Sequence, residues 1–440
     1  MVGSTQSGKS YSEIHELLEA ADSGEVAIVC IDPHPRSLAW NALQQLIARG
    51  HTNRVIWDSL DELENTPKYQ FLTPSRARNA LVRAKENHQQ AEQFAKLLCR
   101  RRDQQSLASS PMTEEWTLKA AMLVLNQPHD HAASKVRFAL MPDHHEFKRL
   151  HSMCSDPETL YDFDKVASGE IRPSQYAAAK RLIDAVCGAP SFVARCGTAF
   201  NLPAFFEKCG ILLIQGGNVG QLVMQAVMGS VILQAINYAR TRFRPFPRLL
   251  IAADEATNAN LVGAAGHETR ALAELQKAGL DFHVLVQSLN FPSAFITDGV
   301  LTNCIRHEWF YAANPAVARK AAEDLGDPEL VGSIRKLKVG ERWVKDRYGV
   351  RFEKVPEVEN PWVFPELAEI KTCRAITEIY HRPEYGGNDE CPPSPNGEIV
   401  TPRSPNEPPV TFVQPDITSN YSPAKSLRTR GSTNSDNAES

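Results

Sequence analysis

The chain has 440 residues, of which 42% are hydrophobic and 23% are charged, and its formal net charge is −4. This composition is that of an ordinary folded protein of two or three domains, which excludes a wholly disordered or fibrous chain. The slightly acidic charge excludes a globally basic nucleic-acid binder, so any contact with nucleic acid would need local basic surfaces.

The first 73 residues alternate between helix and strand patterns. A helix pattern with one apolar face covers residues 14–21, and the apolar run at 26–31 follows it. A second helix pattern covers residues 37–49, and a short strand pattern covers 54–57. Such alternation predicts a parallel sheet covered by helices, so we assign residues 1–73 to the first part of an α/β domain.

Residues 74–200 have a different character. They are polar, comparatively rich in arginine and glutamine, and show helix patterns with few strand signals. Basic residues cluster between Ser75 and Arg102, where they form either a solvated helix face or a surface that contacts phosphates. We predict a mainly helical insertion over this range.

The α/β rhythm returns in residues 201–383, which we assign to the second part of the same domain. Strand patterns lie at 210–215, 248–254, 281–287 and 307–313, helix patterns at 219–241, 267–279 and 316–325, and a hairpin pattern at 341–355.

One uncharged segment bears on whether the chain crosses a membrane. Residues 219–239 carry no formal charge and are long enough to cross a bilayer, but several polar side chains interrupt them, which favours a helix buried in a soluble core. We therefore predict no integral membrane segment.

Residues 384–440 are rich in proline, serine and asparagine and poor in apolar residues, so we predict a disordered tail.

A phosphate-binding pattern, GxxxxGK[ST], opens the chain. Its glycines let several backbone N–H groups point at one anion, and the following helix N-terminus adds positive potential. Lys9 can reach the β- and γ-phosphates of ATP, and the Ser10 hydroxyl can bind Mg²⁺. The predicted nucleotide-binding residues are Gly3, Ser4, Thr5, Gln6, Ser7, Gly8, Lys9 and Ser10. Only Met1 and Val2 precede the loop, so we expect either a truncated chain or an incomplete first strand.

Two further patterns complete an ATPase site. The apolar run that starts at Leu249 ends in Asp254 and Glu255, where the first acid can hold Mg²⁺ and the second can polarise the attacking water. The next strand pattern ends at Gln287, which can sense the γ-phosphate. An ordinary buried strand with a polar end is an equal alternative for Gln287.

Taken in order, GSTQSGKS, VCIDPH, ILLIQGG, LLIAADEATN and VLVQS resemble the HerA/FtsK superfamily of P-loop ATPases. The similarity covers most of residues 1–360 and is greatest to conjugative coupling ATPases of the TraG/TraD type and to HerA-like translocases. It implies an α/β, RecA-like P-loop NTPase with a mainly parallel sheet. It also implies a homohexamer that hydrolyses ATP to move DNA through its central channel.

The resemblance assigns roles to individual residues. Lys9 would bind phosphate, Ser10 and Asp254 would hold Mg²⁺, Glu255 would be the catalytic base and Gln287 the sensor. Family members often carry an arginine where this chain has Lys277, so the resemblance supplies no arginine at this position to complete a neighbour's site. Arg270 and Arg306 are the candidates, and a purely structural role is the alternative for each.

The sequence leaves other functions open. One is an assembly module that binds ATP with little turnover, and another is a packaging-type ATPase acting on viral DNA or on protein. For the DNA motor we expect contacts mainly to the phosphate backbone and a cytoplasmic location, with recruitment to secretion or processing machinery at a membrane.

Overall fold

The structure is a computed structural model that describes residues 1–4, 6–64, 66–99, 111–127, 133–197, 200–241, 247–255, 276–287 and 305–356. Its strands are β1 (Val26–Asp32), β2 (Val55–Ser59), β3 (Ile211–Gln215), β4 (Arg248–Ala253), β5 (Leu280–Val284), β6 (His307–Trp309), β7 (Glu341–Asp346) and β8 (Gly349–Lys354). Its α-helices are α1 (Lys9–Ser23), α2 (Leu38–Ala48), α3 (Ala80–Cys99), α4 (Pro111–Leu125), α5 (His145–Met153), α6 (Pro157–Ala167), α7 (Pro173–Cys187), α8 (Pro190–Arg195), α9 (Leu202–Glu207), α10 (Gln221–Thr241), α11 (Pro315–Leu325) and α12 (Val331–Ile334).

Five strands form a parallel sheet in the order β2-β3-β1-β4-β5. The central strands are continuous apolar runs because helices cover both of their faces. Ile28 and Cys30 pack with the core beneath α1 and α2, whereas Val29 and Ile31 pack with the core on the opposite face. The predicted α/β architecture with a mainly parallel sheet is therefore confirmed.

The residues before the phosphate loop join this sheet to a second one. Val2 forms parallel bridges with Val286, just beyond β5, and with Trp309 of β6. Its N–H donates to the carbonyl of Glu308 at 2.8 Å, and its carbonyl accepts from the N–H of Phe310 at 2.8 Å. The segment before the phosphate loop is thus held on both sides by main-chain hydrogen bonds. Strands β6, β7 and β8 continue beyond it as an antiparallel sheet.

Among its described residues, the segment between β2 and β3 forms helices and turns, with one isolated parallel bridge between Tyr69 and Cys196. It is fixed to the end of β2 by a fully buried ion pair, in which the Arg195 guanidinium lies 2.6 Å from Asp58 Oδ1. The Tyr69 hydroxyl donates to the other carboxylate oxygen of Asp58 at 2.8 Å, and Arg195 also donates to the Ser59 carbonyl. The boundaries placed at residues 74 and 200 stay predictions, and the tail from 384 lies outside the described residues.

Helix α10 explains the long uncharged segment of the sequence. Its most apolar window has a mean hydropathy of 1.4, which meets the length and composition criteria for a membrane span, but 78% of that window is buried inside the protein. It packs against α3, α7, α8 and α9 and contributes Val227, Val231 and Ile232 to the core. Burial against other helices accounts for its apolar character.

The predicted hairpin, sensor strand and preceding helix can be compared with the structure one by one. The hairpin is confirmed, since β7 and β8 pair antiparallel and Asp346 lies opposite Gly349. The strand predicted over 281–287 is shorter and ends at Val284. Most of the helix predicted over 267–279 lies outside the described residues, and residues 276–277 are helical.

Candidate nucleotide site

The phosphate-loop pattern lies where the short first segment turns into α1. Gly8 has a left-handed backbone with φ 99°, a conformation that glycine adopts without steric cost, and α1 begins at Lys9. At Gly3, a methyl group would lie 2.7 Å from the Phe310 Cβ and 2.8 Å from the Ser7 Oγ, so a side chain has no room there. Thr5 lies outside the described residues, and Ser10, in the first turn of α1, is half-buried.

Lys9 is held against this loop. Its buried ammonium donates to the carbonyl oxygens of Gly3 at 2.6 Å and Ser4 at 3.0 Å. Burial lowers the pKa of Lys9, and the neighbouring carboxylates of Asp254 and Glu255 act in the opposite direction. The ammonium is therefore hydrogen-bonded to the loop and lies within the electrostatic influence of the acidic pair.

The acidic pair follows the buried strand β4. Burial raises the pKa of Asp254, and the charge of Lys9 partly offsets this effect. Glu255 adopts a left-handed φ of 45°, and its N–H donates to the Asp254 Oδ1 at 3.0 Å. Left-handed backbone is uncommon outside glycine, asparagine and aspartate, and strain of this kind concentrates at functional sites.

Gln287, which follows the neighbouring strand β5, lies beside Glu255. Because β4 and β5 are parallel, their carboxyl ends meet at one edge of the sheet. The Gln287 side-chain amide donates a hydrogen bond to Glu255 Oε1. The residues predicted as base and sensor are thus in direct contact, although their chemical roles stay predictions.

Asp32 belongs to this edge and was absent from the predicted site. Ile31 pairs with Ala253 in the parallel register, so Asp32 and Asp254 leave the sheet side by side. The fully buried carboxylate of Asp32 accepts hydrogen bonds from the N–H groups of His34 and Ala39, each at 2.9 Å. Burial and the nearby Asp254 raise the pKa of Asp32 to about 7. The sequence signal that would have identified Asp32 is its position directly after the apolar run at 26–31, which matches the position of Asp254 after the run that starts at Leu249.

The donor set at this edge fits a hard divalent cation. Mg²⁺ prefers oxygen ligands, and the Ser10 hydroxyl and the Asp254 carboxylate are both oxygen donors beside the phosphate loop. Burial disfavours the charged form of Asp254, and a bound cation would compensate for that cost.

Of the two arginines proposed to complete a neighbour's site, the structure describes only one. Arg270 lies outside the described residues. Arg306 forms ion pairs within its own chain, to Glu308 at 2.7 Å, Glu353 at 3.5 Å and Glu16 at 3.9 Å, and its side chain is 37% exposed. These contacts support the structural alternative for Arg306.

A second arginine that sequence reasoning missed lies in the same network. The buried Arg342 of β7 donates to Glu308 and Glu353 at 2.8 Å and to the Ser12 hydroxyl of α1. These contacts tie α1, which carries the phosphate loop, to all three strands of the second sheet.

Beside this network, α1 also contacts β5. The Nδ1 of His283 lies 2.9 Å from the fully buried carboxylate of Glu13. Burial alone would lower the pKa of His283, but the Glu13 carboxylate outweighs it and raises the pKa to about 8.

Comparisons with known proteins find relatives through structure. No family model and no curated protein matches the chain. The conjugative coupling protein TrwBdeltaN70 matches with a TM-score of 0.56 and 13% identity, over 82% of this chain and 85% of that protein. VirB4 of Thermoanaerobacter pseudethanolicus matches with a TM-score of 0.53 and 16% identity, over 82% of this chain and 89% of VirB4.

A plasmid coupling protein TrwB in complex with the non-hydrolysable ATP analogue ADPNP matches with a TM-score of 0.50 and 13% identity, over 77% of this chain and 87% of TrwB. At these identities the likeness establishes the fold. The chain has the RecA-like α/β fold of TrwB and VirB4, which is the fold that the sequence motifs led us to expect.

Proposed function

We propose that this chain is a Mg²⁺-dependent ATPase. One observation carries the proposal: Lys9 of the phosphate loop, Asp254 and the Glu255–Gln287 pair converge on one edge of the sheet. A loop that only binds phosphate would need the lysine. It would not need a buried carboxylate and a glutamate hydrogen-bonded to an amide beside it.

The chemistry divides among these residues. On binding ATP, the Lys9 ammonium would exchange the carbonyls of Gly3 and Ser4 for the β- and γ-phosphate oxygens. Ser10 and Asp254 would hold Mg²⁺, which when bound neutralises charge on those oxygens. Glu255 would orient the attacking water and accept its proton. Gln287 would hold the Glu255 carboxylate in place and respond to loss of the γ-phosphate.

We further propose that hydrolysis is coupled to movement of DNA, as part of a conjugation or type IV secretion system. The fold shared with a bacterial conjugative coupling protein supports this assignment. Because the net charge is −4, DNA contact must be local. The exposed basic residues that open the helical insertion supply one such surface, namely Arg76, Arg78, Arg83 and Lys85.

The oligomer proposed for this motor is a homohexamer in which each site is completed by a neighbour. Since Arg306 is engaged by acids of its own chain, Arg270 is the stronger candidate for the arginine supplied in trans.

The test is steady-state ATPase activity at low salt, with and without single- and double-stranded DNA. We expect turnover that DNA stimulates and that Lys9→Ala and Glu255→Gln both abolish. The matched controls are Lys148→Ala and Glu207→Gln, which change exposed residues of α5 and α9 and should leave the rate unchanged.

Other outcomes select the alternatives. A Glu255→Gln rate equal to that of the parent would remove the support for catalysis at this site and favour an ATP-binding assembly module. Turnover that no DNA stimulates would argue against a DNA motor and favour a motor acting on protein.

A further inference from the structure

The sheet order fixes the direction in which ATP must lie. Glu255 follows β4 and Gln287 follows β5, and both lie on one side of the short segment that leads into the phosphate loop. The attacking water must approach the γ-phosphate from the side of the loop on which Glu255 lies. The triphosphate therefore runs away from β4 and β5, and its nucleoside end points towards the other side of the loop, where β6 and β7 lie.

On that other side, the turn of residues 336–340 touches the phosphate loop. The N–H of Gly340 donates to the carbonyl of Ser7 at 3.2 Å. A methyl group on Gly8 would lie only 2.6 Å from the nitrogen of Gly340. Gly340 has a left-handed φ of 81°, and its own carbonyl accepts from the N–H of Val355 at 2.8 Å. This 336–340 turn is thus fixed to both the loop and the end of β8.

The side chains of the turn present an unusual surface at this place. Leu337 is buried, whereas Val339, next to Gly340, is 72% exposed. Three cations surround it in sequence, Arg335, Lys336 and Lys338, and all are exposed. An exposed aliphatic side chain amid positive charge suits a ligand with an apolar face and an anionic end.

We propose that the 336–340 turn forms the wall of the site that holds the nucleoside of ATP, with Val339 packing against the base and ribose. This inference rests on the proposed ATPase function and adds the residue that binds the end of the nucleotide farthest from the chemistry. Val339 contacts the base through its methyl groups, so it distinguishes a nucleotide from a bare polyphosphate rather than one purine from another.

The experiment compares two probes, Mg²⁺·ATP and Mg²⁺·tripolyphosphate, by isothermal titration calorimetry. For Val339→Asn we expect the Kd for ATP to rise about tenfold, the effect of losing burial of most of one valine side chain. The Kd for tripolyphosphate should stay within twofold of that of the parent. Val350→Asn, at a 41% exposed valine of β8 away from the loop, is the matched control and should change neither Kd.

Photolabelling supplies a positional readout. Irradiation with 8-azido-ATP should modify the chain within residues 336–342, and excess ATP should prevent the modification. An unchanged ATP Kd in Val339→Asn, or an equal rise for both probes, would overturn the inference while leaving the ATPase proposal intact. A parent that binds no ATP, or that binds it independently of Lys9, would overturn the ATPase proposal as well.

Discussion

The side-chain amide of Gln287 donates a hydrogen bond to the carboxylate of Glu255, which joins the ends of two neighbouring parallel strands. Glu255 has a left-handed backbone, and its N–H is bonded to Asp254. The Glu255 carboxylate is thus held by the Gln287 amide, and its backbone by the bond to Asp254, before any nucleotide arrives. Such preorganisation contributes to rate without a further cost at the moment of reaction.

The first prediction concerns this contact. Gln287→Ala should lower kcat for ATP hydrolysis by about 10- to 100-fold, because Glu255 loses the group that orients it, while KM for ATP changes little. The measurement is a steady-state titration of ATP. A kcat equal to that of the parent would show that Glu255 does not depend on the amide.

The second prediction concerns the space around the phosphate loop. Gly3→Ala should weaken ATP binding at least about tenfold, because the new methyl group would meet both Phe310 and Ser7 and displace the loop. Gly332→Ala, whose methyl group has open space, is the control and should bind ATP as the parent does. Calorimetric Kd values for the two variants decide the matter.

The third prediction concerns the buried ion pair between the helical insertion and β2. Arg195→Ala leaves the Asp58 carboxylate buried with only the Tyr69 hydroxyl to compensate, so the free energy of unfolding should fall by about 3–5 kcal/mol. Arg181→Ala, at an exposed position of α7, should change it by less than about 0.5 kcal/mol. Urea titrations followed by circular dichroism would measure both, and equal midpoints for the two variants would contradict the assignment.

The fourth prediction is a pH dependence of stability. The folded-state pKa of His283, about 8, exceeds the ordinary histidine value of 6.5, so its contribution to the free energy of unfolding is complete below pH 6.5 and disappears as pH rises through 8. The groups that face it are Glu13, Glu16 and the N-terminal amine. The contribution is at most about 2 kcal/mol.

The test uses His283→Gln as the comparison. The difference in melting temperature between the parent and this variant should be largest near pH 6.5 and should shrink above pH 8. A difference that is constant from pH 6.5 to 9 would mean that the His283–Glu13 contact does not titrate in this range.

The fifth prediction separates the two arginines. Arg306→Ala should lower the melting temperature through loss of its ion pairs but retain ATPase activity, whereas Arg270→Ala should lose activity at an unchanged melting temperature. If Arg270 acts in trans, mixing Arg270→Ala with Lys9→Ala chains should restore part of the activity. No restoration in the mixture would place Arg270 outside a neighbour's site.

The elements that could be predicted from the sequence are those whose signal lies within a few consecutive residues. The apolar runs of β1, β3 and β4 identify buried parallel strands, and Gly3, Gly8 and Lys9 identify the phosphate loop, because each signal lies within a few consecutive residues. Pairings between distant segments carry no such signal.

Three features could not be predicted for this reason. They are the position of Val2 between β5 and β6, the ion pair of Arg306 with Glu16 and the contact of Gly340 with Ser7. Each depends on two segments hundreds of residues apart, and hydrophobic periodicity describes which face of a strand is buried rather than which strand lies beside it.

The short segment of Met1 and Val2 also determines when the ATP site can form during synthesis. Met1 donates to the carbonyl of Val284, 283 residues further along the chain, and the Ser4 hydroxyl accepts from the N–H of Ala313. On a ribosome-bound chain the phosphate loop emerges before the strands that fix it, which are lacking until residues 284–313 have emerged. Closing such a long loop is slow compared with local folding. The phosphate loop therefore becomes functional only long after it is translated, and a nascent chain that stops before β6 should bind no ATP.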